Sequence, residues 1–414
     1  NLDMIVLTHA HLDHSGYLPV MARLGFSGPV LATASTCELC GILLPDSGHL
    51  QEEDARFANK RGFSKHRPAL PLYTEEEARR TLALFRPLPF DKTMEVHERV
   101  RIRYFPAAHI LGASFLQVRL RGKGPKSREK IVLFSGDLGR PHQPIIKKRT
   151  PLPACDHLLV ESTYGNRDHP EIDPGEQLAK IVRRTVERGG SVLIPAFAVG
   201  RTQELLYTLR KLQIDDRLPS DVPIYVDSPM AIHAIRIYMN HPEAQDLEMH
   251  ASRLRGEDPL GLKSVRLTPT VVDSKAINDL RYPAIVISAS GMATGGRVLH
   301  HLANKLPDHR NTVVFVGYQA AGTRGRRLQE GAREIRIHGR EIEVRADVET
   351  LDGLSAHADR GEIMDWLRDS KHRPRRGIHV VHGEPDAADA LAARIEGEMG
   401  LPVNVPDYRD TVEI

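Results

Sequence analysis

Apolar and polar positions follow two rhythms along this chain. Up to about residue 161, short apolar runs dominate: Met4-Ile5-Val6-Leu7, Val30-Leu31-Ala32, Val100 to Phe105, Phe115 to Leu120, Ile131 to Phe134 and Leu158-Leu159-Val160. Runs of this length between turn residues predict strands. Helical patterns separate some of them. Thr74-Glu75-Glu76-Glu77 reads as a capping box, which predicts a helix carrying Leu82, Leu84 and Phe85 on its apolar face. From about residue 171 the texture becomes a regular alternation. A helix through Ile181 and Val182 stops at Gly189-Gly190 and is followed by the strand Val192-Leu193-Ile194. A helix through Leu205 and Leu209 leads to Ile224-Tyr225-Val226, and Ala284 to Ser288 and Val313 to Val316 repeat the theme. Strands alternating with crossover helices predict a parallel sheet. After about residue 350 come a helix around Ile363 to Leu367, the strand Ile378 to Val381 and a last helix. No internal repeat interrupts this plan.

Composition narrows the picture. At 414 residues the chain is long enough for two cores. The formal charge of +3 is close to neutral and announces no polyanion by itself. Basic residues are nevertheless clustered: Arg119, Arg121, Lys123, Lys126, Arg128 and Lys130, then Lys147-Lys148-Arg149, then Arg324, Arg326 and Arg327, and finally Lys371 to Arg376. A solvated turn or linker accounts for any one of these better than phosphate binding does. Three cysteines cannot build a disulfide framework, so a reducing, cytoplasmic setting is expected. No apolar run has the length to span a bilayer, so no membrane is expected as a partner. The first residues, Asn1-Leu2-Asp3, lead straight into what reads as an internal strand, and the expectation is that upstream strands are missing.

The chemistry concentrates at the start. His9-Ala10-His11-Leu12-Asp13-His14 puts three imidazoles and a carboxylate into one turn after a strand, with no thiol among them. Those are ligands that suit zinc, and the end of a strand is where open α/β sheets hold their ligands. Three other strand ends carry matching groups: His109 in Ala107-Ala108-His109, Asp137 in Ser135-Gly136-Asp137, and His382 in Val381-His382-Gly383. Each alone reads as an ordinary polar residue. Together they supply two coordination shells, His9, His11 and His109 for one ion and Asp13, His14 and His382 for the other, with Asp137 bridging. Two ions sharing a carboxylate form the clamp used for in-line displacement at phosphorus. By contrast, Cys37 and Cys40 lie at the start of an expected helix with no second cysteine pair, and read as core residues.

His-x-His-x-Asp-His, a lone His, Ser-Gly-Asp and a late His resemble the metallo-β-lactamase fold. Glu161-Ser162-Thr163-Tyr164-Gly165, Ser355-Ala356-His357-Ala358-Asp359 and Val381-His382-Gly383-Glu384 then resemble motifs A, B and C of the β-CASP ribonucleases. The resemblance implies an α/β architecture: a metallo-β-lactamase αββα sandwich from residues 1–170 and 351–414, with an inserted β-CASP domain at 171–350. The interval from Asp137 to His382 agrees, being far too long for a loop and long enough for a domain. The resemblance further implies a zinc-dependent ribonuclease holding two zinc ions. Single-stranded RNA would thread between the domains, and a metal-activated hydroxide would leave 5′-phosphate and 3′-hydroxyl ends. Asp13, Glu161 and His357 are the implied catalytic residues, with Glu161 orienting His357 beside the leaving oxygen. Leu354 stands where the family pattern has Phe.

RNA contacts are expected from the turn Ser290-Gly291-Met292-Ala293-Thr294-Gly295-Gly296-Arg297, where Ser290, Gly291, Gly295, Gly296 and Arg297 could approach a phosphate. A tight βα turn explains the same glycines equally well. Tyr318 could stack on a base or be buried. Two rival readings are a β-CASP nuclease acting on DNA, against which the family pattern sets His382, and a silent RNA-binding subunit, which would have shed several of the seven ligands.

Overall fold

The apolar runs become strands because each finds neighbours to satisfy its backbone. The computed structural model describes residues 2–62, 65–122, 124 and 128–414. The chain falls into two compact units, Asn1–Asp168 with His357–Ile414, and His169–Ala356.

In the first unit, Ile5–Val6, Val30–Thr33 and Phe85–Leu88 form a parallel sheet. A second sheet has the order Val403–Asn404, Gly377–Val381, His157–Glu161, Lys130–Phe134, Ser114–Leu120, Val100–Pro106, Met94–His97. Its first four strands run parallel and the remainder pair antiparallel. The two sheets meet face to face over Leu31, Ile102, Tyr104 and Leu116, with Val6, Leu88, Val118 and Phe134 packed around them. The Tyr104 hydroxyl donates to the Leu31 carbonyl at 2.8 Å, so its one polar atom is satisfied inside that layer. The helix Ala34–Arg61 covers the outside of the small sheet. On the outside of the large sheet, the helix Arg360–Arg368 sets Trp366 against Phe115, ring centroids 4.9 Å apart. This is the αββα layering of the metallo-β-lactamase fold.

The second unit is built on six parallel strands in the order Val265–Leu267, Ile224–Asp227, Ile285–Ser288, Val192–Pro195, Thr312–Val316, Asp347–Leu351. Leu193, Val286, Val313 and Phe315 on the sheet pack with Val298, Leu302 and Leu306 of the helix Arg297–Lys305 and its end. The α/β alternation expected from the sequence is this sheet.

The segment after Thr74 differs from the sequence expectation. The Thr74 capping box is present, with Glu77 N–H donating to Thr74 Oγ1 at 3.1 Å, but the helix is only Glu75–Thr81. Leu82–Leu84 make a 3₁₀ turn, and Phe85 opens the strand Phe85–Leu88. Pro87 disfavours helix here, and pairing of Phe85 to Leu88 with Val30 to Thr33 outweighs the local helical pattern.

Candidate metal centre

Strand ends of the first unit build the site. Thr8 and His9 follow Ile5–Val6, and the turn continues into the four-residue helix Leu12–Ser15, which carries Asp13 and His14. His109 lies beyond Val100–Pro106, Asp137 beyond Lys130–Phe134, and His382 directly after Gly377–Val381; Glu161 is the last residue of His157–Glu161. Two of these turns hold non-glycine residues in the left-handed region, Ala108 at φ 59° and His382 at φ 55°. Such backbone persists where surrounding contacts over-determine it, and it gathers at functional sites. Gly139 shows how tightly the turns abut: a Cβ there would lie 1.8 Å from the Ala108 carbonyl oxygen.

The seven expected ligands come together as two groups. His9, His11, His109 and Asp137 form one, and Asp13, His14 and His382 another. Asp137 serves both through different oxygens. Its Oδ2 lies 3.4 Å from His9 Nε2 and 3.3 Å from His109 Nε2. Its Oδ1 lies 3.1 Å from His14 Nε2 and 3.5 Å from His382 Nδ1. His109 Nε2 is 3.1 Å from His11 Nδ1, His14 Nε2 is 3.2 Å from His382 Nε2, and Asp13 Oδ2 is 3.4 Å from His382 Nε2. A zinc–nitrogen bond of about 2.0–2.1 Å gives a ligand tetrahedron an edge of about 3.3–3.4 Å. The ligand atoms therefore stand about one tetrahedral edge apart. His9 Nε2 and Asp137 Oδ1 are moreover buried with no aligned hydrogen-bond partner. Buried polar atoms that converge without bonding are costly unless something further satisfies them. A cation fits that demand.

Charge states agree. Burial pushes His11 down to about 3, and lowers His9 and His109 against the pull of Asp137. Burial would raise the Asp137 carboxyl, but His9 and His109 hold it well below the usual range. Asp13 is likewise held down, by its hydrogen bond to His382 and by the neighbouring His14. Neutral imidazoles beside ionised carboxylates are the forms a metal takes. His382 is raised to about 9, chiefly by its hydrogen bond to Asp13, so metal binding there would displace a proton.

His357 and Glu161 stand beside the first group. His357 Nδ1 lies 2.9 Å from Glu161 Oε1 and 3.1 Å from Oε2, leaving Nε2 3.8 Å from Asp137 Oδ2. Glu161 is fixed by N–H donors, Leu138 to Oε1 at 2.6 Å and Thr163 to Oε2 at 3.1 Å. Ala358 N–H donates to the Leu138 carbonyl at 2.7 Å, stitching the His357 segment to the Asp137 turn. Burial would lower His357, but the Glu161 carboxylate outweighs it and raises the imidazole. This carboxylate fixes the ring's orientation and favours a proton on Nδ1.

The expected RNA-contacting residues lie in the second unit. The turn 289–296 does join Ile285–Ser288 to the helix Arg297–Lys305. Ser290 Oγ bonds Thr294, Gly291 is buried and Tyr318 is half-buried. Gly295 and Gly296 leave the turn partly open, with Gly296 at φ 78°. Arg297 is not an open cation. Its Nη1 donates to Asp227 Oδ1 and the Thr268 carbonyl, each at 2.7 Å, and its Nη2 to the Pro269 carbonyl at 2.8 Å. Arg297 is thus held by groups outside the turn, with Asp227 as its counter-charge. One arginine in each of three basic clusters is engaged as well. Arg119 pairs with Glu129, Arg149 donates to the Gly139 and Glu362 carbonyls, and Arg326 pairs with Glu330. Lys123 and Lys126 lie outside the described residues. Burial pushes the Cys37 thiol up to about 11, in keeping with a packing role.

The Asp227 cluster escaped the sequence reading. Asp227 Oδ2 accepts from Ser274 Oγ at 2.6 Å and lies 2.7 Å from His301 Nε2, while Oδ1 accepts from Thr268 Oγ1 at 2.9 Å. The available signal was an aspartate ending the apolar strand Ile224–Asp227 just before a Ser-Pro helix start.

The fold and the cluster of imidazoles and carboxylates at its strand ends define a metallo-hydrolase of the metallo-β-lactamase class. Comparison with known proteins narrows this. A family model described as Beta-Casp domain matches residues 202–328, and one described as Zn-dependent metallo-hydrolase RNA specificity domain matches residues 341–406. Ribonuclease TTHA0252 of Thermus thermophilus is 36% identical over 414 residues, covering 100% of this chain and 88% of the relative. Transcription termination factor FttA of Pyrococcus abyssi is 32% identical over 424 residues, and that of Methanocaldococcus jannaschii 31% over 426. The chain spans 62% and 63% of those two factors. The chain belongs to the β-CASP ribonuclease family and is a metal-dependent hydrolase. Among the described residues, no helix is long and apolar enough to cross a membrane.

Proposed function

We propose that the protein is a zinc-dependent ribonuclease that hydrolyses phosphodiester bonds of single-stranded RNA, leaving 5′-phosphate and 3′-hydroxyl ends. The observation that carries this reading is the division of Asp137 between two histidine groups, with the Glu161–His357 pair alongside. Seven residues, His9, His11, Asp13, His14, His109, Asp137 and His382, would hold two zinc ions. Bound there, the ions would activate water and neutralise phosphate charge. His357 would give the proton from Nε2 to the departing 3′ oxygen, and Glu161 would keep that nitrogen aimed and basic enough to be recharged. Asp13, exposed at the mouth, would complete the second group and hold His382 in register. RNA as the substrate is supported by the family and by the relatives' names. The turn Ser290 to Gly296 would meet RNA through hydroxyls and backbone N–H groups, not through Arg297. Free Cys37, Cys40 and Cys155 suit a cytoplasmic setting.

The test is one 5′-labelled single-stranded RNA incubated with protein, with protein plus a zinc chelator, and with chelated protein given zinc back. Cleavage that stops and returns, with labelled fragments that end in a 3′-hydroxyl, is expected. Cleavage indifferent to chelation, 3′-phosphate products or a preference for single-stranded DNA would each overturn part of the reading.

A further inference from the structure

We propose that Phe197 is a nucleobase-stacking residue, a flat apolar seat on which one base of the RNA lies during turnover. The proposal rests on the ribonuclease reading and adds a specific contact to it. Phe197 follows the strand Val192–Pro195, which lies inside the six-stranded parallel sheet between Ile285–Ser288 and Thr312–Val316. The C-terminal ends of such strands are where open α/β sheets bind ligands. Ala196, Ala198 and Val199 around it are 0%, 8% and 4% exposed, whereas Phe197 is 37% exposed. The chain thus turns its largest apolar group outward from a buried turn.

The backbone beneath the ring is fixed from several sides. Ala196 N–H donates to the Ser288 carbonyl at 3.0 Å, and the Phe197 carbonyl accepts from Thr202 N–H at 3.2 Å and Thr202 Oγ1 at 2.8 Å. Gln203 Nε2 donates to the Ala198 carbonyl at 3.0 Å, and Gly200 N–H to Gln203 Oε1 at 2.7 Å. A side chain presented on so constrained a turn loses little freedom on binding.

The ring also has a seat made for it. A Cβ on Gly291 would lie 2.9 Å from Phe197 N and 3.0 Å and 3.1 Å from the ring's Cδ2 and Cε2. Any side chain at 291 would push the ring away. Gly291 is itself held by Gln319 Nε2, which donates to its carbonyl at 3.1 Å. The Cδ2–Cε2 edge of the ring therefore lies beside a glycine, and about a third of the residue is open to solvent. The glycine at 291 supports an aromatic surface, which accounts for it without a phosphate. An aromatic face with no hydrogen-bonding group accepts every base, so the contact should strengthen binding without choosing sequence.

The experiment uses the zinc-replete protein and a set of single-stranded RNAs, each with one abasic nucleotide at a different position. Base–aromatic stacking predicts that Phe197→Ala raises KM roughly 5- to 150-fold with kcat at saturation little changed. Zinc content should match the wild type, because Phe197 lies in the unit that carries none of the seven proposed ligands. In the wild type, one abasic position should carry a KM penalty that the others lack, and Phe197→Ala should erase that difference. Phe197→Trp should restore KM, and Phe197→Leu, apolar but not aromatic, should not. An active wild type with an unchanged KM in Phe197→Ala overturns the stacking role alone. So does an abasic profile that survives Phe197→Ala, or full rescue by Phe197→Leu. A wild type that neither binds nor cleaves any of the RNAs overturns the ribonuclease reading, and the role of Phe197 falls with it.

Discussion

Two clusters in this protein use nearly the same vocabulary and behave in opposite ways. Around Asp137, an aspartate at a strand end gathers imidazoles, and around Asp227 another strand-end aspartate gathers an imidazole, a guanidinium and two hydroxyls. Both aspartates are buried, at 3% and 0% exposure. At Asp227 the neighbours are donors aimed at its oxygens, and His301 Nδ1 has its own partner in Asn278 Oδ1 at 3.0 Å. At Asp137 the neighbours crowd in at 3.1–3.5 Å without aligned bonds, and burial drives imidazoles toward the neutral state. A closed network with every group satisfied holds structure together. A converging set with orphaned atoms is incomplete without a ligand. Residue types do not separate these cases; satisfaction does.

The comparison breaks most visibly at Asp137. Asp137→Ala should remove more zinc than His109→Ala, because its two oxygens face both histidine groups, and activity should fall by more than the roughly 10²–10⁴-fold of losing acid–base help. Elemental analysis beside single-turnover cleavage checks this; a variant that keeps both ions refutes the sharing of Asp137. Next comes His357. His357→Ala should retain zinc and RNA affinity while cleavage slows by roughly 10²–10⁴-fold. An RNA with sulfur as the 3′ leaving atom needs no proton and should recover much of that loss. Zinc lost in step with activity would instead make His357 a ligand, joining Asp137 and Glu161.

At the closed cluster the expected damage is to stability. Asp227→Ala strands Arg297 and His301 without their carboxylate, a loss of about 3–5 kcal/mol. For a unit of this size that is on the order of 10 °C in melting temperature, read by calorimetry, with zinc content unchanged. Zinc lost without a change in melting would merge the two clusters. Arg297→Ala should cost less, since Asp227 keeps His301, Ser274 and Thr268, and the salt dependence of RNA binding should not change. A shallower slope would return Arg297 to the phosphate-binding role.

The smallest effect is in acid. Burial would raise the Asp227 carboxyl, but His301, Ser274, Arg297 and Thr268 hold it at about 2, below the ordinary 3.8. A depressed carboxyl contributes stability above its unfolded value and loses it as pH falls through its folded value. Wild-type melting should therefore drop between about pH 4 and pH 2 more steeply than that of Asp227→Asn. Parallel curves would show that the cluster does not titrate with unfolding.

By itself the sequence determined what is local. Apolar runs with bounding turns marked most strands of the first unit, though not Phe85–Leu88, Met94–His97 or Val403–Asn404, and alternation after residue 171 marked the parallel sheet, because side-chain period and turn chemistry are written in neighbouring residues. The hexapeptide His9 to His14 could be read the same way, since a tight turn and a short helix must keep its four polar side chains close together. Leu82 to Phe85 had a helical pattern and became a turn and a strand, because pairing with Val30 to Thr33 is a contact between distant segments. The division of Asp137 between two histidine groups depends on separate strand ends arriving at one place. Arg297 illustrates the limit most plainly: glycines before a cation suggested a free phosphate binder, and Asp227, Thr268 and Pro269, all remote in sequence, had already engaged it. Sequence states which groups a residue offers, and only tertiary structure decides which of them the protein has already used, because a hydrogen bond is spent by geometry and not by residue type.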